Sequence, residues 1–287
     1  MKETVEIRIY KKYASLLLSP GEGKNMGVFV SFEMPTDDPR FEKVRSLNEE
    51  VKNENNDFLF LYSEIKRTYS NKELSSSKLL HMKLTTTFEP SGEECGTLFD
   101  ETSACKICGA NRKQLGSLVL KRGTIPKKDI ARTIAGETVV SEKFVNAFNQ
   151  RGLTGAKFTP VKFTKGDSNY FQLFAENEID IADNTVAGIN PFDLSSSNGS
   201  EIYKCPNGHT IGLNLISEPY VHWSHHFSTS DFLASKQKIG VNRGLLKPEA
   251  LLFCSQGFRE MIVEERLEGV KFELSNILTS NSQEFSD

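Results

Sequence analysis

Three cysteines within fourteen residues form the cluster that most constrains how this chain can fold. Cys95 is followed by Cys105 and Cys108, and a glycine comes directly after the first and the last of them. A C-x2-C pair lets two thiolates converge on one tetrahedral ion, and the glycine relieves the tight turn that this geometry needs. The spacing therefore predicts a bound metal ion with Cys95 as a third ligand.

A structural zinc ion needs a fourth ligand, and the sequence offers candidates about a hundred residues later. The segment from Cys205 to His209 contains two, of which Cys205 is the preferred ligand and His209 the reserve. Either one would join the middle of the chain to its later part. Three or four thiolates with no open coordination position predict a structural zinc ion, not a catalytic one.

Two other interpretations of the cysteines stay open at this point. The three thiols could be unligated members of a core, as the lone Cys254 in an apolar run is expected to be. A C-x2-C pair can also be a redox site, but such a pair usually opens a helix in a thioredoxin-like unit, and the sequence shows no such context. The glycines and the spacing favour zinc.

Composition and charge describe an ordinary globular chain. Of its 287 residues, 38 % are hydrophobic and 25 % are charged, and the formal net charge of −3 gives no overall attraction to nucleic acid or to an anionic membrane. No apolar run approaches the roughly twenty residues that cross a bilayer, and the acidic N-terminus does not resemble a signal peptide. Five cysteines, an odd number, indicate reduced thiols. We expect a cytoplasmic protein without a membrane partner.

The chain also resembles itself at a constant offset of 114 positions. Six identical pairs fall within eighteen positions: Ser141/Ser255, Phe144/Phe258, Leu153/Leu267, Gly155/Gly269, Lys157/Lys271 and Phe158/Phe272. In each copy an apolar strand leads to a serine that can cap a helix, and a glycine then permits the reversal into a last strand. Each segment is therefore predicted to be a strand–helix–strand unit.

These patterns predict an α+β protein made of two related halves that a structural zinc knuckle joins. The N-terminal half covers residues 1–163 and contains the three clustered cysteines, the related C-terminal half covers residues 164–278, and residues 279–287 form a flexible acidic tail. Near the N-terminus, Val5, Ile7 and Ile9 alternate with polar residues as in a strand, and helical spacing begins at Arg40.

Two groups of motifs carry a resemblance to known bacterial proteins. Cys-x2-Cys-Gly at residues 105–109, followed by VVSEKF at 139–144 and LTGAKF at 153–158, is similar to the double-CxxCG-motif proteins, some of which are immunity proteins against contact-delivered toxins. Segments 88–97, 125–131 and 205–212 resemble a related bacterial group of tandem-half proteins. This chain has one CxxCG where the first family has two. The resemblance implies metal ligation by Cys105 and Cys108, extends it to Cys95, and implies an immunity role.

We therefore expect a non-enzymatic, zinc-stabilised binding protein, most simply an immunity protein whose partner is a cognate toxin. The sequence assigns no catalytic residue, since it contains no nucleotide-binding or hydrolase motif. Candidate contact residues are Glu264, Glu265 and Glu268 for steering toward a basic toxin and Trp223 as an anchor. The alternative is a zinc-ribbon protein associated with nucleic acid, for which the basic residues are Arg112, Lys113, Lys121, Arg122, Lys127, Lys128 and Arg132. An enzyme that uses His222, His225 and His226 is the third hypothesis.

Overall fold

A computed structural model of the protein describes residues 1–188 and 204–278, and the predicted tail at 279–287 lies outside them. The described part is a mixed α and β structure with several sheets and few helices. The helices are α1 (Arg40–Asn55), α2 (Asn71–Ser76), α3 (Glu142–Gln150) and α4 (Gln256–Glu264). The strands are β1 (Lys2–Tyr10), β2 (Lys24–Asn25), β3 (Phe29–Pro35), β4 (Phe60–Thr68), β5 (Leu80–Leu84), β6 (Thr87–Phe88), β7 (Leu98–Asp100), β8 (Lys113–Leu115), β9 (Val119–Leu120), β10 (Ile130–Thr133), β11 (Thr138–Ser141), β12 (Ala156–Phe163), β13 (Asp167–Ala175), β14 (Glu178–Ile179), β15 (Ala187–Gly188), β16 (Thr210–Gly212), β17 (Asn214–Leu215), β18 (Tyr220–His222), β19 (Phe232–Ile239), β20 (Glu249–Cys254), β21 (Val270–Leu274) and β22 (Asn276–Leu278).

The N-terminal sheet has its own core. Its strands lie in the order β2-β3-β1-β4, and the alternation predicted in β1 is confirmed because Val5, Ile7 and Ile9 are all fully buried. Helix α1, predicted to begin at Arg40, covers that face with an apolar stripe that includes Val44. This unit lies apart from the cysteines.

Two larger sheets show the same pairing pattern. In the first, β10, β11, β13 and β12 lie side by side, and in the second β19, β20, β5 and β21 do. In each sheet a further strand lies between the two strands of a strand–helix–strand unit and is antiparallel to both. This middle strand is β13, between β11 and β12, in the first sheet and β5, between β20 and β21, in the second. Each middle strand falls in the other predicted half. β13 lies in the half 164–278, although its sheet belongs to the first unit, and β5 lies in the half 1–163, although its sheet belongs to the second unit. Strand pairing therefore does not follow the boundary predicted between residues 163 and 164.

Both predicted strand–helix–strand units are present, and both predicted helix caps are confirmed. The Ser141 hydroxyl accepts the amide hydrogen of Phe144 at 3.2 Å, and Ser255 accepts that of Phe258 at the same distance. Each cap satisfies an amide that the first turn of the helix leaves free. Phe144 and Phe258 are fully buried in one core that both units share, and their rings lie 5.9 Å apart, edge to face.

Two aspartates connect the units in the same way. The Asp129 carboxylate accepts a hydrogen bond from the cap serine of α3 at 2.8 Å and one from the Glu268 amide, in the other unit, at 3.0 Å. Asp231 accepts from the cap serine of α4 at 2.6 Å and from the Thr154 amide at 3.0 Å. Each aspartate therefore binds the serine that caps one helix and an amide in the turn that precedes the last strand of the other unit.

The repeated glycine allows this close approach. Gly155 and Gly269 both have a positive φ, of 89° and 115°, which favours a residue without a side chain. A Cβ at Gly155 would overlap the carbonyl oxygen of Phe232, and one at Gly269 would overlap that of Ile130. Each glycine thus lets one unit lie against the backbone of the other.

None of the helices in residues 1–188 and 204–278 combines the length and the apolar character that a bilayer-crossing helix needs.

Candidate metal centre

Two tight loops bring the candidate ligands together. In the first, the Cys105 amide donates to the carbonyl of Ala110 at 2.7 Å, and in the second the Cys205 amide donates to the carbonyl of Thr210 at 3.2 Å. Each loop is therefore closed by a hydrogen bond between its first and sixth residues, 105–110 and 205–210. The first is carried at the tip of the β7–β8 hairpin, and the second leads directly into β16. The first loop lies before the predicted boundary at residue 163, and the second loop lies after it.

The four ligand atoms of Cys105, Cys108, Cys205 and His209 all lie within 4.8 Å of one another. The Sγ atoms of Cys105 and Cys205 are 3.7 Å apart. His209 Nδ1 lies 3.7 Å from the Sγ of Cys108 and 3.7 Å from that of Cys205. These four side chains form one group that could hold a metal ion.

The spacing fits a tetrahedral ion. With Zn–S bonds of about 2.3 Å and a Zn–N bond of about 2.0 Å, a regular tetrahedron separates two sulfurs by about 3.8 Å and a sulfur from a nitrogen by about 3.5 Å. Three of the six distances between the ligand atoms, each 3.7 Å, agree with these values to within a few tenths of an ångström, and the other three do not exceed 4.8 Å. Cys108 and Cys205 are buried, whereas Cys105 and His209 are partly exposed. The group thus lies at the surface with its inner side covered.

The two thiols of the C-x2-C pair have pKa values that are shifted in opposite directions. The backbone N–H groups of Cys108 and Ile107 donate to the Cys105 sulfur and lower its pKa to about 5. Burial raises the pKa of Cys108 to about 11, and the neighbouring Cys205 adds to the rise. The lowered pKa of Cys105 favours its thiolate, and the thiolate is the form that ligates a metal.

Cys95, which the spacing predicts as a third ligand, does not belong to the group. It ends a short 3₁₀ turn, Glu93–Cys95, at the base of the β7–β8 hairpin, whereas the ligating pair lies at its tip. Strand β7 runs from the base of the hairpin toward its tip, and each of its residues adds about 3.3 Å to the distance between Cys95 and the loop. Burial raises the pKa of the Cys95 thiol. Three cysteines close in sequence are therefore divided by the hairpin between them.

The two alternative fourth ligands, Cys205 and His209, are both present in the group. Sequence reasoning treated them as alternatives because it counted Cys95 as a ligand. The signal that could have corrected it is the form of the second loop, in which a cysteine and a histidine four residues apart enclose a glycine. Each loop supplies two ligands, and together they complete a four-ligand set without Cys95.

The histidines at 222, 225 and 226 are not brought to a metal-ligating arrangement within the described residues. The rings of His225 and His226 lie 4.0 Å apart in a 3₁₀ turn that Ser224 caps. Beside them, 60 % of the Trp223 surface is exposed. This segment therefore places a large aromatic side chain at the surface.

The acidic residues predicted as a contact face are paired within the protein. Arg151 lies 2.6 Å from Glu264 and 3.3 Å from Glu265, and Lys128 lies 2.5 Å from Glu268. These pairs reduce the negative potential that the three glutamates present to a partner.

Some of the predicted basic residues are paired as well. Arg112 contacts Glu93 at 3.1 Å and Glu101 at 2.8 Å, and Arg132 pairs with Glu249. These ion pairs remove two of the cations that favoured a nucleic-acid surface, and Lys128 is a third.

Comparison with known proteins adds no relative. No protein-family model matches the chain, and no curated protein matches it. The properties of the site therefore follow from the four ligands and the loops that hold them.

Proposed function

We propose that the group binds zinc and that the zinc is structural. The observation that carries this proposal is the tetrahedral spacing of three sulfurs and one nitrogen, at 3.7 Å for the measured edges. Sulfur-rich tetrahedral sites select zinc among the common divalent ions. Four protein ligands leave no open position for a substrate or a water, which is the arrangement of a structural site.

The zinc would fasten two related halves. The shared strand order, the twin serine caps and the reciprocal aspartates support descent of the halves from one unit, each contributing one loop to the metal. All five cysteines are free thiols, as a reducing compartment such as the cytoplasm would keep them. The zinc then takes the place that a disulfide would have in an oxidising environment.

For the whole protein, the proposal is a non-enzymatic binding protein, specifically an immunity protein that blocks a cognate toxin. The resemblance at residues 105–109 and 139–158 supports it, and so does the exposed Trp223, since tryptophan is enriched among the residues that dominate binding energy. The internal pairing of Glu264 and its neighbours makes the Trp223 segment the better candidate for the centre of the interface.

Co-expression with a toxin encoded beside this gene tests the proposal. Cells that carry the toxin should survive with the wild-type protein and should lose protection with Trp223→Ala, which is expected to speed dissociation of the complex. Phe58→Ala is the matched control, because Phe58 is also aromatic and 58 % exposed but lies just before β4 of the N-terminal sheet. Equal death with and without the wild-type protein would contradict the immunity role.

A second candidate function is binding of single-stranded nucleic acid, and one surface favours it. Arg122 lies over the ring of Phe163 at 4.8 Å, and Lys121, Lys162 and Lys165 are exposed around them. Within the described ranges these four cations form no ion pair. Cations around an aromatic ring are the usual elements of a surface that binds single strands.

A titration against a fluorescent oligonucleotide distinguishes this candidate. Binding should weaken steeply as salt rises, and Arg122→Glu should reduce it strongly, because each phosphate contact releases a counterion. Arg151→Glu is the control, since Arg151 is engaged with Glu264. No binding at low salt would remove the candidate.

A further inference from the structure

A side-chain amide lies against the outer nitrogen of the candidate histidine ligand. The Asn111 amide, placed with its Nδ2 toward the ring, is 3.4 Å from His209 Nε2, while His209 Nδ1 faces the sulfurs of Cys108 and Cys205. Asn111 directly follows the first loop, whereas His209 belongs to the second. The contact therefore runs from one half of the site to the other.

The orientation of the ring decides what this contact can do. Because Nδ1 is turned toward the sulfurs, it is the nitrogen that would ligate, and a neutral imidazole that ligates through Nδ1 carries its hydrogen on Nε2. That N–H needs an acceptor. An asparagine amide can present its oxygen or its nitrogen by a rotation of 180°, so Asn111 Oδ1 can accept it.

The backbone explains why an asparagine can occupy this position. Asn111 has a φ of 67°, in the left-handed region that asparagine tolerates better than other residues with a side chain. Glycine would suit the backbone at least as well. The turn therefore does not by itself require the amide.

The second loop makes a reciprocal contact. The Asn207 amide donates to the Cys105 sulfur at 3.6 Å, so each loop has an asparagine, in it or directly after it, that contacts a ligand of the other loop. Metal-ligating histidines commonly donate their second N–H to an oxygen, which fixes both the ring orientation and the tautomer.

We infer that Asn111 is a positioning residue for the metal centre, which accepts the Nε2–H of His209 and holds its Nδ1 toward the ion. The inference rests on the proposed zinc site. It assigns to Asn111 a role beyond its turn, and it predicts that the amide contributes to metal affinity although it is not a ligand.

The test measures zinc affinity by competition with a chromophoric chelator. Asn111→Gly keeps the left-handed backbone but removes the amide, and should weaken zinc binding by about 10- to 100-fold. Asn111→Asp keeps an acceptor and should remain within about threefold of the wild type. The control is Asn56→Gly, because Asn56 is also left-handed, with a φ of 47°, and ends α1 away from the site.

A second readout separates positioning from a general loss of stability. Long-range ¹H–¹⁵N spectra of the zinc-loaded wild type should show His209 with a hydrogen on Nε2, and Asn111→Gly should broaden or shift those signals. Zinc affinity of Asn111→Gly equal to that of Asn56→Gly would overturn the inference, and so would an aspartate variant as weak as the glycine variant. A wild-type protein that binds no zinc would instead overturn the proposed metal site.

Discussion

The Cys105 thiol is the ligand whose ionisation the loop controls most directly. Two backbone N–H groups stabilise its thiolate, and its position is partly exposed. The C-x2-C spacing predicts such a loop because it is a local pattern of the chain. The exclusion of Cys95 could not be predicted, because it depends on the pairing of β7 with β8, and two three-residue strands carry almost no sequence signal.

The lowered pKa of Cys105 predicts a pH dependence in the metal-free protein. A group whose pKa is lower in the folded state stabilises it above the unfolded pKa, and this contribution is lost as the pH falls toward the folded value. For Cys105 the window extends from an ordinary thiol value near 9 down to about 5. The difference in melting temperature between the wild type and Cys105→Ser should therefore shrink as the pH is lowered through this window.

Thermal unfolding of the metal-free forms between pH 5 and pH 9 checks this expectation, with Cys95→Ser as the control. Cys95 lies outside the group and burial raises its pKa, so its substitution should not reproduce the trend. A difference for Cys105→Ser that stays constant with pH would show that the thiolate is not stabilised by the fold.

At the level of secondary structure, the caps of α3 and α4 join local sequence to long-range packing. Both caps could be predicted, because a serine before an apolar run satisfies the first turn of its own helix. The aspartates that hold the cap serines could not, since Asp129 and Asp231 lie 12 and 24 residues before their serines. Each one also binds an amide in the opposite unit.

The dual role of the aspartates predicts unequal costs of substitution. Ser141→Ala should lower the free energy of unfolding by about 1 kcal/mol, the usual cost of a lost cap. Asp129→Ala should cost about 2 kcal/mol, because it removes hydrogen bonds to the cap and to the other unit. Chemical denaturation measures both values.

Asp183→Ala is the control for the aspartate substitution, since Asp183 is exposed. It should change stability by less than about 0.5 kcal/mol. An Asp129→Ala variant that loses no more stability than Asp183→Ala would mean that the Asp129 carboxylate does not help to hold the units together.

For the whole molecule, the exchange of strands is the feature that sequence reasoning missed. The offset of 114 predicts strand–helix–strand units at residues 139–161 and 253–275, and both are present, but a boundary between residues 163 and 164 separates β13 from β12 and β5 from β20 and β21. β13 follows β12 after only residues 164–166, so this hairpin has a local signal, whereas the pairing of β5 with β20 and β21, far along the chain, has none. The core that contains both Phe144 and Phe258 is a consequence of this exchange.

The exchange predicts that neither part folds completely alone. A fragment of residues 1–163 retains the N-terminal core but lacks β13, so β11 and β12 have no strand between them. Its amides in β10 to β12 should exchange rapidly with solvent, while those of β1 and β3 stay protected.

Adding a fragment of residues 164–287 should restore protection in β10 to β12, because it supplies β13 and completes the shared core. Hydrogen exchange followed by mass spectrometry measures this directly. Protection of β10 to β12 in the isolated 1–163 fragment would contradict the interdependence of the two sheets.

The proposed metal site has one zinc ion that joins the two loops through three sulfurs and one nitrogen. X-ray absorption spectroscopy on protein purified without chelators, with elemental analysis of the same sample, tests it most directly. We predict one zinc per chain, with three Zn–S distances of about 2.3 Å and one Zn–N distance of about 2.0 Å, unchanged in Cys95→Ser and lost in Cys105→Ser. Absence of bound metal, or a four-sulfur site that Cys95→Ser abolishes, would contradict the proposed ligand set.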